Sequence, residues 1–213
     1  MTCQPKGLCG GKGMLTLKEG AWANNPLAIQ VLGICSALAV TNRLENSLVM
    51  GAALIFVCVG SNLLVSLLRK VTPYRFRMIA EVAIIATFVI MFDQFLRAFY
   101  FDLSKQLSIY VGLIITNCIV MGRLEAFAMG NKPYDSMLDA FGSAMGYSWI
   151  IIAVAFFREL LGSGKLFGFP VFASIGWETF PTNGLMVSPV GAFIILGIIV
   201  WVQRTQTGYV EQH

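Results

Sequence analysis

The sequence predicts an all-α polytopic membrane protein: six transmembrane helices arranged as an inverted repeat of three plus three, with helices one and four short or broken. Three observations lead there. Of 213 residues, 57% are hydrophobic and 12% charged, with a mean hydropathy of +0.74, whereas soluble chains carry about 25% charged residues. Six uncharged or nearly uncharged runs are separated by charge clusters. Two stretches, GICSALAVTNRLE (33–45) and GLIITNCIVMGRLE (112–125), each set one cysteine in an apolar run and then end in Arg-Leu-Glu. The cysteine precedes its arginine by 8 residues in the first and 5 in the second, a difference of about one helical turn.

In chain order, residues 1–25 are polar and glycine-rich and read as a flexible cytoplasmic tail. Residues 1–20 hold Gly, Lys and Pro where a signal peptide would place its apolar segment. Cys3 and Cys9 lie in this tail, a pair without further ligands beside it. The first three-helix repeat is expected over 26–105, with helices at 26–41, 46–68 and 78–97. The second, inverted repeat is expected over 106–204, with helices at 107–122, 140–157 and 185–203, and a cytoplasmic tail at 205–213. Helices two, three, five and six run to 18–23 residues, enough at about 1.5 Å per residue to cross a core of about 30 Å. Helices one and four have only 16 residues each, about 24 Å at that rise.

With the N-terminal tail cytoplasmic, Lys6, Lys12, Lys18, Arg69, Lys70, Arg75, Arg77, Arg123, Lys132 and Arg204 fall on that side. Arg43, Arg97, Lys105, Arg158 and Lys165 fall on the other. Twice as many basic residues inside as outside satisfies the positive-inside rule and puts both termini in the cytoplasm. Helix one then runs outward and helix four inward, so the two cysteine-bearing segments are antiparallel. Paired short segments in inverted halves point to a site at the membrane midplane. Cys35 is the tenth residue of its run and Cys118 the twelfth of its own, counted from opposite surfaces, so both reach roughly 15–18 Å deep. Gly33, Ser36 and Thr41 accompany Cys35; Gly112, Thr116, Asn117 and Gly122 accompany Cys118. Small residues allow close helix approach, and hydroxyl or amide groups can bond the backbone that a break releases. Gly142 and Gly146 add a GxxxG pair in helix five.

The residue inventory narrows the chemistry. The only histidine is His213, which excludes internal His-ligated haem or zinc and His proton relays. An odd count of five cysteines, three of them in apolar runs, argues against a disulfide framework. No arginine-rich run with interleaved aromatics supports nucleic-acid binding. GSGK at 162–165 is no P-loop, because Glu159 and Leu166 stand where the motif needs Gly and Ser or Thr. Thiolates are soft ligands suited to iron and sulfide, and a cluster needs about four of them. Cys35 and Cys118 supply two, so any cluster takes two more from a second protein. The competing reading is that a free cysteine is a small hydrophobe, which suits Cys58 in helix two.

Ionisable residues inside membrane helices are functional candidates by default. Helix three holds Glu81 and Asp93; helix five begins at Asp139 and ends at Arg158-Glu159. Against a role in an ion path stands an anchoring one, with Arg77–Glu81, Asp93–Arg97 and the Arg158-Glu159 step as ion pairs at helix ends.

The runs NNPLAIQVLGICSALAVT (24–41), KQLSIYVGLIITNCIVMGRLEAFAM (105–129) and FFRELLGSGKLFG (156–168) resemble a family of membrane subunits. That family belongs to the bacterial sodium-translocating NADH:quinone oxidoreductase and to the related Rnf ferredoxin:NAD oxidoreductase. PTNGLMVSPVGAFIILG (181–197) is more similar to the quinone-reductase branch, and the likeness covers Asn24 to Arg204 but not Cys3, Cys9 or Cys58. The resemblance implies one component of a six-subunit complex in the bacterial inner membrane, beside a homologous six-helix E-type subunit of opposite orientation. It implies an intramembrane 2Fe-2S iron-sulfur cluster held by two cysteines from each, with Cys35 and Cys118 at the matching positions. NADH, flavins and ubiquinone would be bound by other subunits, and electron flow would drive sodium export, with Asp93 and Asp139 at acidic positions tied to the sodium ion. Three alternatives stay open: a metal-free inverted-repeat cation carrier or channel using Asp93 and Asp139, a subunit of the Rnf-type ferredoxin:NAD oxidoreductase, and a scaffold for assembly.

Overall fold

The computed structural model describes residues 27, 30–69, 72–99, 110, 112–131, 133–163, 165–166, 169–170 and 188–207. The two tails as far as residue 26 and from residue 208, with Cys3 and Cys9, lie outside these, as do 107–109 and 185–187 of the expected helices. The order of elements is α1 (Ile34–Val40), α2 (Leu44–Leu68), a 3-10 turn (Tyr74–Phe76), α3 (Arg77–Phe99), α4 (Cys118–Arg123), a π-helical turn (Leu124–Ala128), α5 (Pro133–Ser163) and α6 (Pro189–Thr207). After α5, Lys165–Leu166 (β1) pairs antiparallel with Phe169–Pro170 (β2), the two strands among the described residues.

Among the described residues three helices are long and apolar enough to cross a membrane: Leu44–Leu68, Arg77–Phe99 and Pro133–Gly162. The segment Pro189–Thr205 is a shorter apolar helix, and residues 185–187 of the helix expected at 185–203 lie outside the described residues. The helix expected at 140–157 begins seven residues earlier, at Pro133. Proline suits the first turn of a helix, where its missing N–H costs nothing. Asp139 therefore lies well inside α5 instead of opening it.

The buried core is mainly apolar but includes many small polar residues, while large apolar side chains face outward. Asn46, Ser47, Ser61, Asn62 and Ser66 of α2 and Ser136, Ser143 and Ser148 of α5 are buried, while Phe95, Phe99, Trp149 and Trp201 are exposed. Lipid tails are as apolar as Leu, so such helices gain from packing and hydrogen bonds between small and polar faces. The α2–α5 contact is the most extensive in the fold. It is tightest at Gly51, where an added Cβ would lie 3.1 Å from Ser148 Cβ, and the Ser148 hydroxyl lies 3.3 Å from the Gly51 carbonyl. Gly142 and Gly146 lie on the buried face of α5. This α2–α5 frame carries α1 and α4, the two short cysteine-bearing helices.

Candidate metal centre

Neither expected short helix is continuous. In the first, residues 31–33 are non-helical and helix begins only at Ile34, so Cys35 sits in the first turn of α1. Val31 has φ 57° and Gly33 φ 80°. A β-branched residue with positive φ is a strained backbone position of the kind that clusters at functional sites. In the second, residues 112–115 are helical, Thr116 turns, Asn117 is extended, and α4 starts at Cys118. Each cysteine thus sits in the first turn of a helix that follows non-helical residues, Cys35 second in α1 and Cys118 first in α4.

The breaks are built differently. Asn117 is an N-cap: its Oδ1 accepts from the Ile119 N–H at 3.1 Å, satisfying one of the donors a helix start leaves open. Gly33 caps α1 without any side-chain bond. Side-chain hydroxyls instead meet its carbonyl, one of them from α5. The Tyr147 hydroxyl lies 3.1 Å from the Gly33 carbonyl and 2.5 Å from Ser36 Oγ. Ser36 Oγ is 3.0 Å from the same carbonyl and accepts from Asn117 Nδ2 at 3.2 Å. An added Cβ at Gly33 would lie 2.7 Å from Ile119 Cδ1 and 3.0 Å from Tyr147 Cε2. Residues flanking Cys35 are thereby bonded directly to residues flanking Cys118, and Tyr147, Ser36 and Asn117 are all buried.

Both thiols are free and exposed, whereas Cys58 is fully buried. Exposure is unusual for a free cysteine, and here it occurs at the two sulfurs beside the knot. Cys58 Sγ instead accepts from Asn62 Nδ2 at 3.6 Å inside the α2 core, a packing role. Among the described residues no three His, Cys, Asp or Glu side chains converge. The donor set is thus two thiols open to the outside, which fits half of a four-thiolate shell completed by another chain.

The acidic candidates lie apart from this knot. Asp93 Oδ2 pairs with Arg97 Nε at 2.9 Å, while its Oδ1 is buried without a hydrogen-bond partner. Asp139 Oδ2 lies 3.6 Å from Arg123 Nε, joining α5 to the end of α4. Glu81 is 3.8 Å from Arg77, which also pairs with Glu125 in the π-helical turn. Arg158 reaches the end of α1, and Glu159 the start of α2. Arg158 Nη1 donates to Thr41 Oγ1 at 2.6 Å and to the Leu38 carbonyl at 3.4 Å, and Glu159 Oε2 accepts from the Leu44 N–H at 2.9 Å. A cation at the last carbonyls of a helix is favoured by the dipole.

Sequence reasoning singled out Ser36, Thr41 and Asn117 near the cysteines but missed Tyr147. A hydroxyl-bearing ring in the middle of an apolar helix, between Gly146 and Ser148, was the available signal, since a buried tyrosine O–H needs a partner.

A family model described as "Rnf-Nqr subunit, membrane protein" matches residues 14–200. Among curated proteins the chain is 56% identical over 185 residues to the D-type subunit of the Na(+)-translocating NADH-quinone reductase of Pasteurella multocida, covering 85% of this chain and 88% of that one. The D-type subunits of the same reductase from Psychromonas ingrahamii and Photobacterium profundum are each 54% identical, over 186 and 184 residues. These alignments cover 86% and 85% of this chain and 88% and 87% of the relatives.

Proposed function

Because the chain belongs to the Rnf-Nqr family of membrane subunits, we propose that its two exposed thiols form one side of an intramembrane iron-sulfur centre in a sodium-translocating NADH-quinone reductase. The chain is a membrane subunit of that oxidoreductase, as its D-type relatives are. The finer reading is an inverted three-plus-three repeat in the bacterial inner membrane with both termini cytoplasmic. Its partner is the homologous E-type subunit, which supplies the other two thiolates of a 2Fe-2S cluster. NADH, flavins and quinone are bound by the remaining subunits.

One observation carries this reading. The short helices that carry Cys35 and Cys118 in their first turns are tied to each other through Gly33, Ser36, Asn117 and Tyr147, while both sulfurs remain exposed. A core cysteine would be covered, as Cys58 is. When bound, a cluster supplies one-electron transfer. This chain's part is to present two thiolates from breaks that free backbone for close approach, and to bury their surroundings in apolar residues. Replacing Cys35 or Cys118 by Ala in the assembled complex is expected to remove the cluster iron and its visible absorbance. Cys58→Ala is expected to keep both. Retention of iron in both single variants sinks the assignment.

Asp93 and Asp139 are proposed as acidic positions on the sodium path. Asp93 is supported by its buried, unpartnered Oδ1, an oxygen donor of the kind hard cations prefer. Asp93→Asn is expected to raise the sodium needed for half-maximal turnover by about tenfold, equivalent to ~1.4 kcal/mol. An unchanged sodium requirement removes Asp93 from the path.

A further inference from the structure

We propose that Tyr147 is a positioning residue for the thiolate pair: its hydroxyl, acting through Ser36, fixes where Cys35 and Cys118 present their sulfurs. The inference rests on the cluster-ligand reading above and adds to it a residue of α5 that touches neither sulfur by hydrogen bond.

Three segments meet at this point with few atoms to spare. Tyr147 Oη, Ser36 Oγ and the Gly33 carbonyl oxygen make three mutual oxygen contacts, at 2.5, 3.0 and 3.1 Å. Only two hydroxyl protons are available to fill them. Either Ser36 donates to Gly33 and Tyr147 to Ser36, or Tyr147 donates to Gly33 and Ser36 to Tyr147. Each arrangement needs both hydroxyls. Ser36 Oγ also accepts from Asn117 Nδ2, and the same Asn117 uses its Oδ1 to cap α4 at Ile119. The chain of bonds therefore runs from α5 to the residues on either side of Cys35, and through Asn117 to those on either side of Cys118. All three side chains are buried, where a half-satisfied network is costly and a complete one fixes a single geometry.

The ring of Tyr147 also packs against Gly33, so Tyr147→Phe keeps the wedge and deletes only the hydroxyl. Two separated half-helices then lose one link of the bridge that sets them in register. Ligand orientation governs the electronic structure of a metal centre. The effect should therefore appear in the spectrum and potential of the cluster before it appears in iron content.

The test uses the complete membrane complex carrying Tyr147→Phe, Ser36→Ala or Ser36→Thr. Tyr147→Phe and Ser36→Ala are expected to retain iron but to broaden or shift the electron paramagnetic resonance signal of the reduced cluster. They should also change the oxidised-to-reduced ratio at fixed potential by about tenfold, or about 59 mV for one electron. Ser36→Thr, which keeps the hydroxyl, is expected to restore the parent signal. Parent spectra and potentials in both Tyr147→Phe and Ser36→Ala overturn the proposal. If Tyr147→Phe fails to assemble, Ser36→Ala decides by the same readings. Iron retained in both Cys35→Ala and Cys118→Ala would instead sink the underlying ligand assignment, whatever the Tyr147 variant shows.

Discussion

The two cysteine-bearing breaks reach the same result by different means. At Cys118 the break is local: Asn117 caps α4 with its own side chain, and the helix runs on into a π-helical turn in which the Met129 N–H bonds to the Leu124 carbonyl. Its Arg-Leu-Glu triplet ends in ion pairs, Arg123 with Asp139 and Glu125 with Arg77. At Cys35 the cap is a left-handed glycine with no side-chain bond, and its side-chain contacts come from other helices as well as from Ser36. Tyr147 of α5 and Asn117 and Ile119 at α4 meet the start of α1, Arg158 bonds its end, and Glu159 caps the start of α2. In this copy the Arg-Leu-Glu triplet leaves Arg43 and Glu45 exposed. A seven-residue helix is far too short to be stable by itself, so α1 depends on its neighbours: α5 bonds near both of its ends, and Asn117 bonds Ser36. The difference locates the fragility of the site in the first half of the chain.

The sharpest way to break this comparison is Gly33→Ala. Left-handed backbone costs a non-glycine residue roughly 1–2 kcal/mol. The new methyl would meet Ile119 Cδ1 at 2.7 Å and Tyr147 Cε2 at 3.0 Å, an overpacking penalty of about 1–3 kcal/mol more. The variant is expected to lower the thermal stability of the complex and its iron content together, because the clash falls on residues that flank both thiols. Parent stability and iron content would mean that the left-handed cap does not set the position of Cys35.

This asymmetry also decides what could be read from the chain alone. The breaks were legible locally, from Gly33 on one side and from Thr116 and Asn117 on the other, since glycine and capping residues act within a turn or two of themselves. The membrane class and the long helices α2 and α3 followed from hydropathy. The early start of α5 did not, because PYDSMLD at 133–139 carries two acids and little apolar periodicity, and only the proline marks it. Tyr147 and Arg158 were opaque in another way. Their partners lie 114 and 117 residues away, and no local pattern says which hydroxyl or carbonyl a buried polar side chain will find. Arg158-Glu159 read as the anchored end of helix five, but α5 runs on to Ser163, and Arg158 serves the end of α1 while Glu159 serves the start of α2.

A smaller effect is expected at the other break. Asn117→Ala removes the cap of α4, worth about 1 kcal/mol, and the Nδ2 bond to Ser36 at 3.2 Å, worth about another 1 kcal/mol. Nothing clashes, and α4 keeps its continuation through the π-helical turn and the Arg123–Asp139 pair. The variant should therefore lose less thermal stability than Gly33→Ala while retaining most of its iron. Asn117→Asp separates the two losses, because an aspartate can still cap through an oxygen but cannot donate to Ser36. If Asn117→Asp matches the parent in stability but shares the altered cluster spectrum of Asn117→Ala, the cap holds α4 and the amide serves the thiols. If Asn117→Ala proves more damaging than Gly33→Ala, the dependence runs the other way, and α1 is held by α4 more than by α5.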